Sequence, residues 1–91
     1  KQLQIENKVK RYYNELVTLK SQIVLQEKVY KNYYALQRGE EIRFQAGESS
    51  LFLINARENK TLEALQKLQE LKAKFFKTEN MLQWAAGNFL Q

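Results

Sequence analysis

The sequence FQAGESSLFLINAR, residues 44–57, decides how this chain folds. It places Gly47 and two adjacent serines near the middle of a 91-residue chain that contains no proline and three glycines. Glycine suits the left-handed backbone position just after a helix, and the hydroxyl of Ser49 or Ser50 is suited to cap the next helix. We therefore predict a helix over about residues 3–45, a tip at 46–50 and a second helix over about 51–87.

The two remaining glycines have different predicted positions. Gly39 is expected inside the first helix, where glycine costs about 1 kcal/mol relative to alanine. Gly87 is expected to end the second helix. The chain begins with Lys1 and lacks a signal-like start, so we interpret it as one hairpin excised from a longer protein.

Each predicted helix carries apolar residues separated alternately by three and four positions, which is the pattern of a coiled-coil seam. In the first helix the seam consists of Ile5, Val9, Tyr12, Leu16, Leu19, Ile23, Gln26, Tyr30, Tyr33 and Gln37. In the second helix it consists of Ala64, Leu68, Leu71, Phe75, Thr78, Leu82, Ala85 and Phe89. The fold class predicted is all-α, a long antiparallel two-helix coiled-coil hairpin.

Further apolar residues lie beside both seams. They are Tyr13, Val17 and Val24 on the first helix, and Leu62, Leu65 and Phe76, together with the stem of Lys72, on the second. A two-helix hairpin cannot cover such wide apolar surfaces, so we expect it to associate further, into a helical bundle or barrel. With equal rise along both arms, residues whose numbers sum to about 97 should lie opposite each other. Trp84 is expected either to anchor the second arm against the start of the first or to contact another part of the parent protein.

The composition excludes several kinds of chemistry. Cysteine and histidine are both absent, which removes thiol nucleophiles, disulfides, imidazole catalysis and Cys/His zinc sites. The glutamates have no adjacent nucleophile or metal-ligand cluster, so we predict no enzyme activity, no catalytic residue, no metal and no cofactor. No apolar run reaches the length of about 18 residues that crosses a membrane as a helix.

The basic residues are scattered along the chain, although the net charge is +5. Several follow a glutamate by four positions, as in Glu6/Lys10 and Glu63/Lys67, which is typical of an exposed helix face. We prefer this interpretation to a nucleic-acid surface. The five tyrosines are likewise interpreted as seam residues and not as a platform for stacked bases.

Four consecutive apolar residues, Leu51–Ile54, follow the tip and point in all directions around the helix. Two interpretations stay open. Either they fold back on Ile42 and Phe44 as a small separate core, or they are left for another protein to cover. The charges of Arg43 and Arg57 beside the tip carry a similar alternative. They pair with the nearby glutamates Glu40, Glu41 and Glu58, or with polar groups of a docking partner.

The run RFQAGESSLFLINAR (43–57), with LQWAAG (82–87) near its end, resembles the second repeat of TolC-like outer-membrane efflux proteins. The resemblance is clearest from about residue 33 to residue 87. In that family an aromatic or apolar residue, a glycine, a nearby Ser or Thr, an apolar run and a small residue mark the periplasmic turn between two long helices. Here those places are taken by Phe44, Gly47, Ser50, residues 51–54 and Ala56. This chain differs in having no aspartate just past the tip.

The resemblance implies a trimeric channel in the cell outer membrane, whose α-helical barrel extends into the periplasm. This segment would lie in the periplasm, without itself spanning the membrane. Its tip would bind a periplasmic adaptor protein, and through it an inner-membrane pump. The contact would fall on Ala46, Gly47, Glu48, Ser49, Ser50, Leu51 and Phe52, flanked by Arg43 and Arg57. The alternative is a coiled-coil interaction module of an unrelated scaffold, in which the tip is only a turn.

Overall fold

The chain forms two long helices joined by a short tip. The structure is a computed structural model that describes the backbone of residues 2–90 and the side chains of residues 3–87. Helix α1 spans Gln2–Gln45 and helix α2 spans Leu51–Leu90. Residues 46–50 form the tip between them. The predicted fold class, an all-α antiparallel hairpin, is confirmed.

The two helices pack against each other through the predicted seam residues. Every seam residue of α1 is buried or half-buried, and so is every seam residue of α2 up to Ala85. The side chain of Phe89, predicted to continue the seam, lies outside the described residues. The same spacing continues toward the tip, through Glu40 on α1 and Ile54, Arg57 and Thr61 on α2. The helices therefore pack by the three-four alternation that the sequence carries.

Two polar seam residues, Gln26 and Thr61, bond to backbone carbonyls. The amide nitrogen Nε2 of Gln26 donates to the carbonyl oxygen of Ala64 across the seam, at 3.0 Å. The hydroxyl of Thr61 donates to the carbonyl of Arg57 within α2, also at 3.0 Å. Because a buried polar group without a partner is destabilising, these bonds let polar residues occupy a buried position.

The Gln26 contact corrects the predicted register. A register in which residue numbers sum to about 97 places Gln26 opposite Leu71. In the structure Gln26 instead contacts Ala64, which lies nearer the tip than Leu71. An extended residue advances about 3.3 Å, and a helical residue only 1.5 Å. The connection after Gly47 runs back beside the last turns of α1, where Ser49 reaches Glu40. The connection covers this distance with fewer residues than a helix would need. Helix α2 therefore begins further down α1, away from the tip, than predicted.

Two other predictions were wrong. Gly87 does not end the second helix, which continues to Leu90. Glycine inside a helix is only weakly destabilising, so it does not force an end where its φ stays helical. Trp84 is not an anchor between the arms, because its side chain is 69% exposed. It directly precedes the seam residue Ala85, and one residue along a helix is a rotation of about 100°, so its side chain points away from the seam.

The contacts along the hairpin divide into two compact units. One unit is the tip half, Val24–Gln69. The other is the open-end half, formed by the part of α1 up to Ile23 and the part of α2 from Glu70. Each unit contains buried seam residues from α2, Ala64 and Leu68 in the tip half, and Leu71 and Ala85 in the other.

Candidate docking site at the hairpin tip

Gly47 ends α1 in a Schellman motif. Its φ is 79°, the left-handed conformation that glycine adopts without the steric penalty of a Cβ atom. The amide of Gly47 donates to the carbonyl of Phe44 at 3.0 Å, and the amide of Glu48 donates to the carbonyl of Arg43 at 2.8 Å. These two bonds satisfy carbonyls that the end of a helix otherwise leaves without partners. The tip thus has a defined backbone conformation.

The two serines of the tip have separate roles. Ser50 caps α2, because its Oγ accepts a hydrogen bond from the amide of Leu53 at 3.3 Å. Its carbonyl accepts the first bond of the helix, from the amide of Ile54 at 3.1 Å. Ser49 instead donates its hydroxyl to the carboxylate of Glu40, 2.5 Å away. The sequence predicted a serine cap without deciding between the two residues.

Glu40 is the centre of a charged cluster beneath the tip. Its side chain is only 5% exposed. Its carboxylate lies 3.8 Å from the guanidinium of Arg43 on α1 and 3.6 Å from that of Arg57 on α2. Arg43 also donates to the carbonyl of Glu48, at 3.4 Å. The Glu40 carboxylate therefore contacts the last turns of α1, the tip and the first turns of α2.

The partners of Glu40 lower its pKa. The hydrogen bond from Ser49 is the largest cause, and it outweighs the removal of the carboxylate from water, which acts in the opposite direction. The positive charges of Arg43 and Arg57 lower the pKa of Glu40 further. Each of these groups stabilises the ionised carboxylate more than the neutral acid. Glu40 is accordingly charged at neutral pH.

The pairing of Arg43 and Arg57 with Glu40 answers one question that the sequence left open. Both arginines make ion pairs within the chain. Glu41, another expected partner, lies 3.6 Å from Arg38 instead. The sequence places Glu40 near both arginines but does not by itself reveal its central position. The signal was present, because Glu40 follows the seam residue Gln37 by three positions and so continues the seam.

The apolar residues around the tip are mostly exposed. We call Ile42, Leu51, Phe52 and Leu53 the apolar crown. Phe52 is 79% exposed, and the other three also lie in solvent. Ile54 alone of the four-residue apolar run is buried, because it continues the seam. Phe44 is exposed as well, so a small separate core in which Leu51 and Phe52 fold back on Ile42 and Phe44 is not formed. Among the tip residues, Ala46, Gly47, Glu48 and Ser50 are exposed and Ser49 is half-buried.

Comparisons with protein families, curated proteins and solved structures found no match for this chain. Within residues 2–90, neither helix contains a stretch long and apolar enough to cross a membrane. The described residues also include no cluster of three or more acidic, histidine or cysteine side chains placed to hold a metal ion. The fold and the tip define the class of this protein, an antiparallel helical hairpin with a capped, apolar tip.

Proposed function

We propose that this chain is a periplasmic hairpin of a TolC-like outer-membrane efflux channel. Its arms line part of the export tunnel in a homotrimer, and its tip binds a periplasmic adaptor protein connected to an inner-membrane pump. The observation that carries the proposal is the apolar crown, which lies in water above a tip closed by the Gly47 and Glu48 backbone bonds and by the ion pairs of Glu40. The resemblance of residues 43–57 to the family's periplasmic turn gives the partner its identity.

The tip has the physical properties of a docking site. An exposed cluster of large apolar side chains marks a surface that another protein covers. The Schellman motif, the Ser50 cap and the Glu40 cluster fix the backbone beneath the crown before any partner arrives. Binding to such a preorganised surface loses little conformational entropy, which favours affinity. Arg43, whose side chain is 59% exposed, can also interact with a carboxylate or carbonyl of the partner.

The test is photocrosslinking in cells that produce the complete protein. A photoreactive phenylalanine analogue replaces Phe52, which is exposed and has the same shape as the probe. The control probe replaces Lys67, an exposed residue in the middle of α2. Mass spectrometry then identifies the captured proteins. Capture of a periplasmic adaptor protein from position 52 but not from position 67 is the expected result.

The second candidate function is a coiled-coil interaction module of an unrelated scaffold. It is favoured by the exposed apolar residues along the arms, which are independent of the tip. In that case a probe at position 52 would capture only helices of the same protein or a cytosolic partner, which would contradict the channel proposal. A cytosolic or coiled-coil sequence upstream in the reading frame would contradict it as well.

A further inference from the structure

A pocket lies between the arms in the open-end half of the hairpin. Its volume is about 380 Å³, and its lining residues are Tyr12 of α1 and Lys77, Asn80, Met81 and Trp84 of α2. We call it the open-end pocket. All five residues belong to the same compact unit. Because ligand sites in proteins have volumes of about 300–1,000 Å³, the open-end pocket is large enough for a small organic molecule.

One part of the open-end pocket is aromatic and apolar. Trp84 is 69% exposed and Met81 is also exposed, whereas Tyr12 is half-buried at the seam. Aromatic rings attract other rings in stacked or edge-to-face arrangements, and the flexible thioether of methionine adapts to ligands of irregular shape. These three side chains therefore suit the ring of an aromatic ligand.

The other part of the open-end pocket is polar and positively charged. Lys77 is exposed, and no described residue forms an ion pair with it. Its ammonium group has three hydrogen-bond donors for a carboxylate, sulfonate or phosphate. The amide of Asn80 can donate or accept a further bond. A pocket of mostly apolar lining with a few polar groups is the usual form of a small-molecule site.

The surroundings of the open-end pocket are also positive. The guanidinium of Arg11 lies 5.3 Å from the centre of the Tyr12 ring. Lys10, Arg11 and Lys74 line a second groove in the same half, in which Glu15 is the one acidic residue. The open-end half carries eight basic and four acidic residues, whereas the tip half carries seven and six. Most of the net charge thus belongs to this half, and it attracts anions.

We propose that the open-end pocket binds an elongated aromatic organic anion. Its ring packs against Trp84 and Tyr12, and its anionic group accepts hydrogen bonds from the ammonium of Lys77. Lys77 and Trp84 are seven residues apart, which places them on the same side of α2 and about 10 Å apart along its axis. A ligand with a ring at one end and a charge at the other contacts both. The proposal does not depend on adaptor binding at the tip.

The test is titration of the 91-residue chain with cinnamate, which carries a benzene ring at one end and a carboxylate at the other. Trp84 is the one tryptophan of the chain, so its indole N–H gives a single signal in a proton–nitrogen NMR spectrum. We expect this signal to shift and saturate with a dissociation constant of about 3 mM, the affinity usual for a ligand of this size.

Two matched probes separate the ring from the charge. Cinnamyl alcohol has the same ring without the carboxylate, and it should bind about three- to fivefold more weakly, since an exposed ion pair contributes modestly. Acetate has the carboxylate without the ring and should give no saturable shift. A shift with cinnamate that stays linear would overturn the proposal. Equal affinities for cinnamate and cinnamyl alcohol would overturn it too, because the pocket would then be only an apolar surface.

Substitutions test the two contacts in the pocket. Lys77→Gln should raise the dissociation constant for cinnamate about three- to fivefold, whereas Lys67→Gln, at an exposed lysine of the tip half, should leave it unchanged. Trp84→Ala removes the NMR signal, so equilibrium dialysis measures its effect, an increase of about tenfold. Phe76→Ala is its control, because Phe76 is 63% exposed and does not line the pocket.

Circular dichroism checks that the four variants keep the helix content of the parent chain. Equal losses of affinity in Lys77→Gln and Lys67→Gln would show that cinnamate responds only to the net charge of the chain. Equal losses in Trp84→Ala and Phe76→Ala would show that any exposed ring binds it. Either result would contradict a site at the open-end pocket.

Discussion

Gly47 and Gly39 allow backbone conformation to be tested apart from packing. A Cβ atom added at either position meets nothing within 4 Å, but only at Gly47 is φ positive. We expect Gly47→Ala to lower the free energy of unfolding by about 1–2 kcal/mol, because an L-residue is strained in the left-handed region. Gly39→Ala should raise it by about 1 kcal/mol, since alanine is the better helix former.

Urea unfolding of both alanine variants, followed by circular dichroism at equal protein concentration, measures this difference. Equal effects at the two positions would mean that the left-handed conformation of Gly47 contributes nothing to the fold. The comparison needs no separate packing control, because neither new methyl group contacts a neighbour.

Glu40 makes a pH-dependent contribution to stability. Its pKa is lower in the folded chain than its ordinary value of 4.5, so the ionised form binds its partners more strongly than the neutral acid does. This stabilisation is fully present above pH 4.5 and is lost as the pH falls through the lowered pKa. We expect the parent chain to be more stable than Glu40→Gln at neutral pH, with the difference shrinking in acid.

Unfolding of both proteins between neutral and acidic pH provides the measurement. Subtracting the two curves removes the effect of the other glutamates, which titrate in both proteins. If the difference in unfolding free energy between the two proteins does not change with pH, the charge of Glu40 does not stabilise the tip. Introducing Ser49→Ala into both proteins should make the pH-dependent part of their stability difference smaller, because the hydrogen bond from Ser49 is the largest cause of the lowered pKa of Glu40.

At the scale of one helix, burial decides which leucines matter. Leu19 in the seam of α1 is 8% exposed, whereas Leu25 on the same helix lies in solvent. Leu19→Ala leaves a cavity between the helices and should lower the free energy of unfolding by about 2 kcal/mol or more. Leu25→Ala should change it by less than about 0.5 kcal/mol. Chemical denaturation at a fixed concentration compares the two, and similar losses would contradict the assigned seam.

The helices and their seams were predictable because their spacing is a local property of the sequence. The seam from Ile5 to Gln37 and the left-handed glycine at position 47 both follow from residue types and intervals. The register of the arms was not predictable, because it depends on how far the connection from Gly47 to Ser50 descends beside α1. The burial of Glu40 was also missed, since a carboxylate in a seam needs partners that only the folded tip supplies.

At the scale of the whole molecule, association should make stability depend on concentration. If hairpins associate through the exposed apolar residues beside the seams, mass action stabilises the folded assembly as the protein concentration rises. We expect the thermal unfolding midpoint of the parent chain to rise with concentration, and that of Val24→Lys to rise much less. Scans at several concentrations measure both. A parent midpoint that does not change with concentration would argue against association of the hairpins.

The compact tip also has a consequence for the order in which the chain folds. Its bonds join residues close in sequence, such as Glu48 to Arg43, whereas Gln26 and Ala64 are 38 residues apart. Short loops close with the smallest loss of entropy, so the tip should form early. The two helices should then pair progressively from the tip toward the open end. In stopped-flow experiments, Gly47→Ala should mainly slow folding, whereas Ala85→Gly near the open end should mainly speed unfolding.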